Sequence, residues 1–108
     1  MQKVNAFKLD SFFVPLMKGK EETGEFVILS ATLLLSNSKL SQEIIKNISI
    51  IRKNIYYILR KKSPEDFKGD KKKLEDRLKK EIVTAANTVI LSGSGVVTDV
   101  YFTQFVVK

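Results

Sequence analysis

Leu40, Ile44, Ile48, Ile51, Ile55 and Ile58 recur at steps of three and four, an apolar stripe sustained for about five helical turns. Ile45 and Leu59 widen it into a core face. A helix so marked is not stable alone in water, because the stripe must be covered by another apolar surface. The flanking sequence supplies one with a different period. Phe7-Lys8-Leu9-Asp10-Ser11-Phe12-Phe13-Val14 is aromatic and β-branched, and reads as a strand that Pro15 ends or pushes to a sheet edge. Lys18 to Gly24 is a charged turn with two glycines. Glu25 to Leu35 is a long strand with apolar residues on both faces, the pattern of a central strand covered on two sides. Val96 to Val107 is β-branched and aromatic again.

Between the strands, Asn37-Ser38 supplies the side-chain acceptors that open the striped helix. Ser63-Pro64-Glu65-Asp66 predicts a new short turn, with Ser as N-cap, Pro first and an acid third. Phe67 pins that turn to the core. Gly69-Asp70 opens a further helix that places Leu74, Leu78, Ile82, Ala85 and Val89 inside, and Ser92-Gly93-Ser94-Gly95 breaks it. The element order is β-β-α-α-α-β. It predicts an α+β fold with a small, mostly antiparallel sheet of about three strands covered by helices. At 108 residues the expectation is a single domain over 1–108.

The chain contains no His and no Cys. That removes histidine acid–base chemistry, cysteine nucleophiles, disulfides and most zinc or iron–sulfur sites. The carboxylates sit in a turn, at helix starts or on a solvated helix face, where nothing pushes their pKa values apart for catalysis. Gly93-Ser94-Gly95 follows a helix and precedes a strand, the reverse of a phosphate-cradling loop. No enzyme, cofactor, metal or small-molecule substrate is expected. The stretch Phe26 to Leu35 is about half of the roughly 20 residues that span a bilayer, and Met1 to Asn5 opens no signal-peptide core.

A net charge of +7 favours an anionic partner or solubility alone. A nucleic-acid-binding module is the alternative function, with Lys71-Lys72-Lys73, Arg77, Lys79 and Lys80 on phosphates and Tyr56 and Tyr57 stacking on bases. Asp70, Glu75, Asp76 and Glu81 are interleaved with those lysines and dilute the field, which favours a solvated helix face. Arg60-Lys61-Lys62 has no acid until Glu65. Tyr56 falls with Arg52 and Arg60, opposite the isoleucine stripe, as an interface anchor does. The candidate partner-binding residues are therefore Arg52, Tyr56, Arg60, Lys61 and Lys62.

Both chain ends carry a recognisable pattern. Phe7 to Leu16, a polar turn and Phe26-Val27-Ile28-Leu29-Ser30-Ala31-Thr32-Leu33 open the domain. Asn87, the Ser-Gly turn and Val100-Tyr101-Phe102-Thr103-Gln104-Phe105-Val106-Val107 close it. This resembles the periplasmic domain of the FliL family of flagellar basal-body-associated proteins, with Pro15, Asn54 and Lys108 departing from the family's usual residues. The resemblance implies a fold like the stomatin-type domain and a non-enzymatic scaffold at the inner membrane. It further implies a native N-terminal membrane helix, this chain being the soluble periplasmic piece. The implied partners are flagellar stator proteins and further copies of the chain in a ring, supporting torque or stator retention, with no nucleic acid.

Overall fold

The computed structural model describes residues 5–108; Met1 to Val4, read above for a signal-peptide core, lie outside the described residues. The order is β1 (Ala6–Lys8), β2 (Phe12–Lys18), β3 (Glu21–Leu35), α1 (Leu40–Lys46), α2 (Ile48–Arg60), a 3-10 turn (Pro64–Phe67), α3 (Lys71–Val89) and β4 (Val97–Val107). The α+β fold and antiparallel sheet expected from the sequence are present, with four strands in three rows. β3 is central: β2 and β1 follow one another along one edge, and β4 lies along the other.

The strand expected over Phe7 to Val14 is thus two strands, interrupted at Asp10 and Ser11. Leu9 keeps one link, donating its N–H to the Ala31 carbonyl at 3.0 Å. Pro15 does not end β2 but sits inside it, opposite Phe26. Phe26 directs its main-chain groups to Lys108 on the far side. The Pro15 nitrogen therefore points to the open edge, where a missing donor is tolerated.

Alternation sorts the side chains. Phe12, Val14 and Leu16 of β2, Val27, Leu29, Ala31, Leu33 and Leu35 of β3, and Val97 and Val100 of β4 form a buried inner face. Leu40, Ile44, Ile51, Ile55, Leu59, Leu74, Leu78, Ile82 and Ala86 cover it from the helical layer. The helices lie over one face only, so β3 is not covered on two sides as its composition suggested. On the other face Phe13 is 63% exposed, and Ile28 and Ser30 are shielded by neighbouring strands instead.

The striped helix is broken at Asn47, whose backbone leaves the helical region and whose side-chain amide donates to the Glu43 carbonyl at 2.9 Å. The break changes which residues are buried. Ile51, Ile55 and Leu59 continue the core at steps of four, Ile48 and Ile58 are half-buried, and Ile45 is 54% exposed. In α3 Ala86 rather than Ala85 completes the buried row. No described helix is long and apolar enough to cross a membrane.

Candidate partner interface

Arg52 rises from α2 toward the β1–β2 interruption. Its guanidinium lies 4.1 Å above the Phe12 ring and donates to the Asp10 and Ser11 carbonyls at 2.8 and 3.2 Å. Those are main-chain acceptors that the strand break releases from the ladder. Arg52 is therefore occupied in holding α2 to the sheet edge. Tyr56, one turn on, is half-buried and packs against the core, so it does not stand opposite the stripe as the spacing suggested.

Lys62 is also engaged. Its ammonium is 2.9 Å from Glu81 of α3, an ion pair that ties the end of α2 to its neighbour. Half-buried pairs of this kind hold geometry more than they add stability. Arg60 and Lys61 remain exposed. With Tyr57, Met17 of β2 and the β2–β3 turn residues Gly19 and Lys20 they line a surface hollow without a carboxylate on its wall. The basic cluster legible in the sequence thus separates into two pinned side chains and an outward pair, joined by Lys20 from a turn some forty residues earlier. Tyr57, 50% exposed, is the aromatic of this surface rather than Tyr56.

Other polar groups knit the two halves of the chain together. The Ser63 N–H donates to Asp66 at 2.8 Å, closing the predicted capping box. Asn87 meets Val97 twice, donating to its carbonyl at 2.9 Å and accepting its N–H at 2.8 Å. That side chain imitates a strand neighbour where β4 begins. Glu43 accepts the N–H groups of Leu91 and Ser92 at 2.9 and 3.1 Å, and the Ser92 hydroxyl as well. The Ser92 hydroxyl is the main reason the Glu43 carboxyl is held below its ordinary 4.5; desolvation opposes it, and the main-chain donors and Lys46 assist. Nothing local in the sequence marks Glu43, because its partners lie nearly fifty residues downstream.

Among the described residues no group of three or more His, Cys, Asp or Glu is placed to hold a metal ion. A helical layer on one face of a small antiparallel sheet, with basic and aromatic side chains at one end, defines a two-layer α+β domain. Residues 6–107 match the family described as Flagellar basal body-associated protein FliL. The chain belongs to the FliL family. The flagellar protein FliL of Aquifex aeolicus (strain VF5) is 30% identical over 102 residues, covering 94% of this chain and 60% of that protein. The chain therefore spans about 60% of the length of this curated relative.

Proposed function

We propose that this domain is a non-enzymatic accessory of the flagellar motor. It lies on the periplasmic side of the inner membrane, held by an N-terminal membrane helix, and associates with stator proteins. There it supports torque or stator retention as an oligomeric ring. The observation that carries this reading is the family match over residues 6–107. The matched relative extends beyond the shared region, which leaves length for further segments in a protein of this type. The Arg60–Lys61–Lys20 surface, with Tyr57 beside it, is the stator-facing patch in this reading. Arg52, Tyr56 and Lys62 hold α2, which carries Arg60 at its end, to the sheet edge, the core and α3.

Deleting the gene is expected to impair swimming or swarming while flagella still assemble, and the full-length gene restores it. Arg60→Glu with Lys61→Glu keeps the fold and lowers recovery of stator proteins with the full-length protein. Normal motility of the deletion strain under every load overturns the reading. A nucleic-acid module would instead show binding that falls steeply with salt.

A further inference from the structure

β4 leaves one side of its ladder open. Among the described residues it pairs with β3 alone, from Val97 to Val107. Phe26 and Lys108 exchange both main-chain hydrogen bonds, at 2.8 and 2.9 Å. Alternation along an antiparallel strand then turns the N–H and C=O groups of Val107 and Phe105 away from β3. Register shifts interrupt the pairing nearer Val97, and the Val100 N–H is taken by Asp99 at 2.8 Å, but Gln104 to Val107 runs in continuous register and without proline, a template for another strand.

The wall above that edge has a definite chemistry. Phe102 and Phe105 face the helical layer yet stay half-buried. Phe105 meets Phe102 and Phe67 edge-on, with ring centroids 5.5 and 5.9 Å apart. Lys71 and Lys79 of α3 hold their ammonium groups 5.8 and 5.9 Å from the centres of Phe105 and Phe102. A hollow of about 280 Å³ opens between Phe67, Lys71, Leu74, Phe105 and Val107. Further along, a second opens between Lys79, Lys80, Val83, Thr84, Thr98 and Asp99. Unpaired main-chain groups, an aromatic strip and a lysine rim thus run side by side.

Charge selects the occupant. Lys71, Glu75 and Lys79 share a side of α3 at steps of four, and Lys80 and Lys108 add to the rim, against Glu75 and Asp99. The one salt bridge among the described residues joins Lys62 and Glu81, so none of these lysines is in an ion pair. A second copy paired through the same edge would bring two lysine rims together, an unfavourable juxtaposition. An extended segment bearing carboxylates meets both needs at once.

We propose that the β4 edge accepts an extended acidic segment of a partner protein as an added strand. Its main chain pairs with Phe105 and Val107, and its carboxylates meet Lys71 and Lys79. This surface is separate from the Arg60–Lys61 patch and does not depend on which motor component the domain meets.

The test is titration of the isotope-labelled chain with a capped synthetic peptide of alternating Glu and Val, followed by NMR. Shifts are expected along β4 and α3, with amide exchange of Phe105 and Val107 slowed. The Lys71→Glu, Lys79→Glu double variant should bind about tenfold more weakly. A peptide N-methylated at alternate residues keeps the charge, loses the donors, and should leave the β4 amides unprotected. Equal binding of a Lys–Val peptide overturns the proposal, as do shifts centred on Lys20 and Arg60 or an absence of binding. Protection of β4 that rises with protein concentration and ignores the peptide also overturns it, in favour of a second copy.

Discussion

Glu43 and Gly95 show how single residues join the two halves of the chain. A Cβ on Gly95 would fall 2.6 Å from both the Asn37 amide nitrogen and the Ser36 hydroxyl oxygen. Asn37 uses that amide to donate to the Ser94 carbonyl, so the absence of a side chain at 95 lets the turn approach α1 closely. Glu43 then closes the same junction from the helix, accepting from Leu91 and Ser92. Its carboxyl is held below 4.5 in the folded chain, chiefly by the Ser92 hydroxyl. A depressed carboxyl contributes stability above its unfolded value and loses it as pH falls through the folded one. Thermal melts of the wild type and Glu43→Gln should therefore differ at neutral pH, the variant melting lower, and converge below pH 4.5. A gap that is constant across that window would show that ionisation of Glu43 is not what the junction uses.

At the scale of elements, the breaks are what sequence periodicity reads least well. The apolar stripe does mark the helix, the alternating segments do mark the sheet, and their order is as observed. Yet an interruption at Asn47 shifts the buried row to Ile51, Ile55 and Leu59, all fully buried, and leaves Ile48 half-exposed to solvent. Ile51→Ala or Ile55→Ala should cost about 2–5 kcal/mol in urea unfolding, whereas Ile48→Ala should cost about 1 kcal/mol. Equal losses would mean that the stripe runs unbroken. The interruption of the first strand involves a partner at longer range. Whether Asp10 and Ser11 leave the ladder depends on Arg52, forty residues away, which accommodates their carbonyls. The candidate surface was legible at Arg60 and Lys61 because nothing folds over the end of α2. It was not legible at Arg52 and Lys62, whose partners Phe12 and Glu81 come from other elements.

Over the whole molecule, 42 × 28 × 18 Å, β3 sets the polarity. At about 3.3 Å per residue its 15 residues are enough to run the whole of the long dimension. The Asn5 carbonyl accepts the Leu35 N–H at 2.8 Å, which puts the beginning of the described chain at one end of β3. Gly19, Lys20, Arg60 and Lys61 gather at the other, where β3 starts from its turn. With the N-terminal tether proposed above, the bilayer lies at the Asn5 end, and the basic patch faces away from lipid headgroups toward whatever stands further out. These 108 residues contain no cysteine, so in a full-length protein cleared of any cysteine elsewhere a single introduced one reports without interference. In the full-length protein reconstituted into vesicles, a fluorophore at Ser38→Cys, in the exposed turn after β3, should be quenched by headgroup spin labels. The same fluorophore at Lys20→Cys should be spared, and quenching of both alike, or of Lys20→Cys more strongly, would reverse the orientation and return the basic patch to the membrane surface.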